Sequence, residues 1–137
     1  MNTINIKRGF TLIELLVVIA IIGILTSIVL ASLNTARDKG TNAAVQSSVN
    51  NLRAQANIFG SKPDGTVSYA GLCTDSKAVL ITTDVTAKVS APYCNDAVDT
   101  WVYAAPLKNG GYICMDSTGA AKTASSSVLI SSGTACP

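Results

Sequence analysis

Lys7-Arg8-Gly9-Phe10-Thr11-Leu12-Ile13-Glu14-Leu15-Leu16-Val17-Val18 is the stretch on which the reading of this chain turns. Two cations and a glycine precede an aromatic residue, and a single acid then interrupts an apolar run that continues to Leu33. Residues 10–33 are broken only by Thr11, Glu14, Gly23, Thr26, Ser27 and Ser32. As a helix they would extend roughly 36 Å at 1.5 Å per residue, enough to cross a hydrocarbon core of about 30 Å. Lys7 and Arg8 stand directly before that span, so the positive-inside rule puts the N-terminus in the cytoplasm and everything after Leu33 outside. A carboxylate inside such a segment is expensive and calls for a partner.

The rest of the composition narrows the function. The chain has 137 residues, room for one modest domain and a terminal segment. It is 48% hydrophobic and only 13% charged. Its net charge of +2 matches the contribution of Lys7 and Arg8, because the other eight basic side chains balance eight acidic ones. A near-neutral body without a basic block does not suit nucleic-acid binding. There is no histidine, no GxSxG motif and no glutamate besides Glu14, so nothing resembles a catalytic apparatus and the chain reads as a non-enzyme.

Beyond Leu33 the pattern changes without a break. Val45, Val49, Leu52, Ala56 and Phe59 recur at steps of four and three and line one helical face. Arg37, Asp38, Asn42, Gln46, Asn50 and Arg53 fall mostly elsewhere, and Gly60 before Ser61-Lys62-Pro63 is a stop signal. The spacing predicts one helix over about residues 10–59, apolar all round and then one-sided, weakened at Gly40. Residues 61–137 read as β-rich. Ala78-Val79-Leu80-Ile81-Thr82-Thr83 and residues 85–89 are β-branched runs. Residues 100–105 and 112–115 flank Lys108-Asn109-Gly110-Gly111 as a hairpin, and Asp116-Ser117-Thr118-Gly119 turns the chain. Val128-Leu129-Ile130 offers a last strand, and Lys122-Thr123-Ala124-Ser125-Ser126-Ser127 reads as an exposed loop. Trp101, Tyr103 and Tyr112 are expected on the sheet's buried face. The fold expected is α+β: a long N-terminal helix packed on a small antiparallel sheet.

Cys73, Cys94, Cys114 and Cys136 lack the short paired spacings of a zinc site. Behind an export-type N-terminus they read as two disulfides in an oxidising compartment. Three connectivities are possible. Cys73–Cys94 with Cys114–Cys136 is favoured, each pair closing a loop worth about 3 kcal/mol in the chain-entropy model. Nested and crossed pairings stay open.

The opening stretch resembles the class III signal of type IV pilins and pseudopilins, closely over residues 7–33. That resemblance implies a leader of residues 1–9, an apolar filament-core helix over residues 10–33, an amphipathic continuation over residues 34–60 and a disulfide-stapled head over residues 61–137. It implies that a prepilin peptidase cuts between Gly9 and Phe10 and that the same enzyme N-methylates Phe10. A glycine without Cβ suits an extended backbone entering a protease cleft. Glu14 is then expected to neutralise the new Phe10 amine, between subunits or within one, and to set assembly register. The implied partners are further copies of the chain in a helical homopolymer, the peptidase, an assembly ATPase and a membrane platform. The implied location is the cytoplasmic membrane as a single-pass protein, then an extracellular pilus on the cell surface. The chain departs from many members of that group in carrying Ala31 where they have a kinking proline.

Other readings compete. A pseudopilin or minor pilin of a type II secretion system fits the same signal. Glu14 near a span's end can instead reach headgroups, and Val29-Leu30-Ala31 before Ser32 resembles a signal-peptidase site. A membrane-anchored binding domain that never polymerises is a further class. No cofactor is expected. Asp96, Asp99 and Asp116 are the residues that calcium would use, although no loop of calcium-ligand spacing is present.

Overall fold

The computed structural model describes residues 9–108, 110–124, 135 and 136. The chain divides into two compact units, Met1–Ala36 and Arg37–Pro137. Helix α1 (Leu12–Gly60) contributes to each of them. The remaining elements are a 3-10 turn (Leu72–Thr74), helix α2 (Ser76–Lys88) and strands β1 (Tyr93–Asp96), β2 (Trp101–Pro106), β3 (Tyr112–Asp116) and β4 (Ala121–Ala124). The strands form one antiparallel sheet in the order β1-β2-β3-β4, so each pairs with its neighbour in sequence.

In the unit Arg37–Pro137 the predicted helical face is the core face. Val45, Val49, Leu52 and Ala56 are each at most 1% exposed, and Phe59 packs at the margin of the same cluster. They meet Trp101, Tyr103 and Ala105 of β2 and Ile113 and Met115 of β3. These strand residues alternate along their strands, as the pleat requires. The fold is therefore α+β, a long helix packed on a four-stranded antiparallel sheet. The opposite sheet face carries Val102, Ala104 and Cys114, with Tyr93 and Cys136 against them. Tyr112 has the parity of Cys114, so it does not join Trp101 and Tyr103 as expected. Its register partners are Pro106 and Ala124.

Gly60 ends α1 for a packing reason. A Cβ there would lie 2.4 Å from Cε1 of Tyr69, too close for any other residue without movement of the ring. Asn42 is not on the solvent side of α1. It is buried, and its Oδ1 accepts a hydrogen bond of 2.8 Å from the Lys108 amide, tying the helix to the β2–β3 turn. Arg53 lies against the β3–β4 turn, where Gly119 adopts a φ of +87° that disfavours any side chain.

The two β-branched runs at residues 78–83 and 85–89 do not form strands; they lie in α2 and its C-terminal flank. Asp75 caps that helix, its carboxylate accepting from the amides of Lys77 and Ala78 at 3.1 Å each. Ala78, Val85 and Val89 are buried and Ile81 is partly so, a spacing of three and four that places one helical stripe in the core. Thr82 and Thr83 donate their hydroxyls to the Val79 carbonyl, and Thr86 donates to that of Thr82. Local capping and helical periodicity thus override strand propensity. Asp84 accepts from Ser48 of α1 at 2.7 Å and pairs with Lys88. Those two hydrogen bonds, Lys88's the larger influence, hold its carboxyl below the usual range.

Two further expectations are corrected. Lys122, Thr123 and Ala124 belong to β4 and not to a loop, being in register with Cys114, Ile113 and Tyr112 of β3. Strand β1 was not anticipated, because Tyr93-Cys94-Asn95-Asp96 carries little strand propensity of its own. The last expected strand, Val128-Leu129-Ile130, and the second half of the expected loop, residues 125–127, lie outside the described residues. The disulfides are Cys73–Cys94 and Cys114–Cys136, with Cα separations of 5.9 and 5.8 Å.

Leu52 sits at the centre of the helix–sheet contact. Replacing Leu52 by Ala is expected to lower unfolding stability by about 2–5 kcal/mol, as for other buried leucines. Denaturant unfolding of the full chain in detergent, followed by Trp101 fluorescence, measures this. Ile58, 68% exposed on the same helix, should tolerate alanine within about 0.5 kcal/mol.

Candidate functional site

In the unit Met1–Ala36 the described residues consist of Gly9 to Thr11 and the first half of α1. Every residue from Gly9 to Ala36 is exposed, Phe10 at 84% and Leu12 at 76%. Among the described residues, the apolar side chains of residues 10–33 are therefore not buried. Among the described residues α1 is the one helix long and apolar enough to cross a membrane, with a mean hydropathy of 2.8 over its best 18 residues.

Thr26 and Ser27, two of the polar interruptions in this segment, bond within their own helix. Thr26 donates its hydroxyl to the Ile22 carbonyl at 2.7 Å, and Ser27 donates to Gly23 at 2.9 Å. Neither hydroxyl then needs water, which suits a helix in lipid or in a packed bundle.

Glu14 has a partner that the sequence reading missed. Its Oε2 accepts from the Thr11 amide at 2.8 Å and from the Thr11 hydroxyl at 2.7 Å, while the Thr11 Oγ1 accepts from the Glu14 amide at 3.3 Å. This is a capping box: Thr11 precedes the first helical residue, and an acid three positions on reaches back to it. The signal was legible as Thr-x-x-Glu at the start of an apolar helix. An acid in the first turn also complements the helix dipole. Both side-chain bonds use the same oxygen, so Oε1 is left for another donor. Phe10, Ile13, Val17 and Val18 form an open apolar groove beside the carboxylate. Thus Gly9, Phe10 and Glu14 lie together at the start of α1, while the four cysteines staple the other unit.

Two of the three acids considered for calcium, Asp96 and Asp116, accept hydrogen bonds from elsewhere in the chain. Asp96 accepts from the amides of Gly71 at 2.6 Å and Cys73 at 3.2 Å, fixing the 3-10 turn to β1. Asp116 accepts from Thr118 and from the Cys136 amide. Among the described residues no group of three or more cysteines or acids is placed to hold a metal ion.

Comparison with known proteins agrees with this geometry. Residues 4–30 match the family model of the prokaryotic N-terminal methylation motif, the class III signal of type IV pilins. The match covers the capping box and most of the exposed apolar helix. No curated protein and no solved structure matches the chain. The motif supports a type IV pilin-like or pseudopilin precursor and implies processing by prepilin peptidase and handling by assembly machinery. With the apolar helix, it fits membrane anchoring followed by assembly.

The capping box gives a local prediction. Thr11→Val removes the two bonds of the hydroxyl, the one it donates to Glu14 Oε2 and the one it accepts from the Glu14 amide, and keeps the backbone amide bond to Oε2 and the branched shape. Amide exchange over residues 12–15 should quicken several-fold in micelles, while exchange over residues 45–56 stays unchanged. Equal protection at residues 12–15 in both proteins would show that the box does not hold the helix start.

Proposed function

We propose that this chain is the structural subunit of a type IV pilus filament, made as a membrane-inserted precursor with its N-terminus in the cytoplasm. Prepilin peptidase cuts between Gly9 and Phe10 and methylates the new Phe10 amine. An assembly ATPase and membrane platform then extract the subunit into a helical homopolymer outside the cell. Residues 10–33 form the filament core, residues 34–60 continue the helix into the head, and residues 61–137 form the coat.

The observation that carries this reading is the pairing of a methylation motif with an apolar helix that has no burial of its own. In the membrane, lipid covers that surface. In a filament, the same surface packs on copies of itself. Burial from partly hydrated surroundings contributes on the order of 25 cal/mol per Å² of apolar area.

Glu14 is the register device in this account. After the cut, Phe10 carries an α-amino group with a reference pKa near 8, cationic at neutral pH. Oε2 stays with the Thr11 cap, and Oε1 takes the methylated amine of Phe10, between subunits or within one. A misaligned neighbour leaves both charges unpaired in a low-dielectric bundle, which is strongly disfavoured. Capping and pairing therefore do not compete for the same oxygen.

Glu14→Gln and Glu14→Ala test the claim in cells. Both are expected to be inserted and trimmed, yet to yield less than about a tenth of the wild-type fibres by electron microscopy of sheared surface protein, the scale of one lost charge pair. Normal fibre yield from Glu14→Ala would overturn the register role. Absence of fibres from the wild type, with protein export dependent on the chain, would assign it to a type II secretion system as a pseudopilin.

A further inference from the structure

Asp116 is a buried carboxylate, 2% exposed, at the end of β3. Its two oxygens are divided between two parts of the chain. Oδ1 accepts from the Thr118 amide at 2.9 Å and the Thr118 hydroxyl at 2.6 Å, both within the β3–β4 turn. Oδ2 accepts from the amide of Cys136 at 2.7 Å. Asp116 is two residues from Cys114 on the same strand, so both side chains leave the same sheet face. Cys114 is bridged to Cys136, 22 residues away. The carboxylate therefore grips the backbone of the residue whose sulfur its strand neighbour must reach.

The grip is preorganised. The Asp116 amide donates to the Ala120 carbonyl, the Gly119 amide donates back to the Asp116 carbonyl, and the Ser117 amide donates to Trp101 of β2. Burial works to raise the carboxyl's pKa, but the bonds from Thr118, Cys136 and Ala120 outweigh it and keep the pKa below the usual range. Apart from the Cys136 amide, every bond that holds the carboxylate and its backbone comes from the β3–β4 turn and β2, outside the tail.

We propose that Asp116 is the positioning residue for the Cys114–Cys136 disulfide: in the reduced chain it captures the Cys136 amide and brings the second thiol against the first. The chemistry is ordinary thiol–disulfide exchange with a disulfide oxidant. One cysteine thiolate attacks the oxidant, forming a mixed disulfide and expelling one thiolate. The other cysteine thiolate then attacks the protein sulfur of that mixed disulfide and expels the second. The two protein thiols lose two electrons and two protons overall, and the oxidant is reduced to two thiols. Asp116 takes no part in the electron transfer. It raises the effective concentration of one sulfur at the other, a matter of proximity.

The full chain in detergent, equilibrated with glutathione and glutathione disulfide, tests this. Each bridge is quantified separately by alkylation and peptide mapping. Asp116→Asn is the informative variant, because one carboxamide oxygen can serve Thr118 or Cys136 but not both. The effective concentration for Cys114–Cys136 should fall about tenfold or more, the scale of one hydrogen bond to a charged group, while Cys73–Cys94 stays unchanged as an internal reference. No change in Cys114–Cys136, or an equal fall in both bridges, would overturn the assignment. A second measurement covers poor folding of that variant. In Cys114→Ala, which cannot form the bridge, the amide of residue 136 should remain protected from exchange, and loss of that protection would also refute the role of Asp116.

Discussion

An apolar helical segment, residues 10–33, whose side chains stay exposed among the described residues is the constraint from which the rest follows. From Phe10 to Leu33 the side chains are exposed on every face, where a soluble helix would hide one stripe. Such a surface calls for an apolar covering, and a membrane anchor supplies one. The polar atoms along it are arranged for such a covering: Thr26 and Ser27 bond to their own helix, and Thr11 and Glu14 close its first turn. What distinguishes the segment from a simple anchor is the match to the methylation motif over residues 4–30, which supports a pilin-like or pseudopilin precursor.

The second unit solves a different problem. Its helical stripe of Val45, Val49, Leu52 and Ala56 needs a sheet, and the sheet needs the helix, because neither can cover its apolar side alone. The core this produces is small, and polar ties reinforce it. Asn42 holds the β2–β3 turn, Asp96 holds the 3-10 turn, and Asp116 holds the backbone of Cys136, one half of the second bridge. Two disulfides close loops that a core of this size would secure poorly.

Much of this was legible in the sequence where periodicity was strong. The one-sided helix, its stop at Gly60, and the hairpin of β2 and β3 followed from spacing and turn residues. The reading of residues 78–89 failed because Val, Ile and Thr were weighed by strand propensity, while Asp75 as a cap and the stripe of Ala78, Ile81, Val85 and Val89 pointed to a helix. The burial of Asn42 is not legible in the sequence, because a polar residue beside an apolar stripe gives no sign of its partner, here a backbone amide 66 positions away. Glu14 was read as an acid awaiting an amine, when Thr11 already supplied two hydrogen bonds to it. The engagement of Asp116 with Cys136 was invisible for the same reason as Asn42: it joins groups brought together only by the folded sheet.

The account stands or falls on whether the greasy helix survives processing. Intact-mass and N-terminal analysis of the protein recovered from the cell surface tests this most directly. It should begin with N-methylated phenylalanine at position 10 and contain both disulfides. A chain beginning at Ser32, or one that retains Met1, would contradict it.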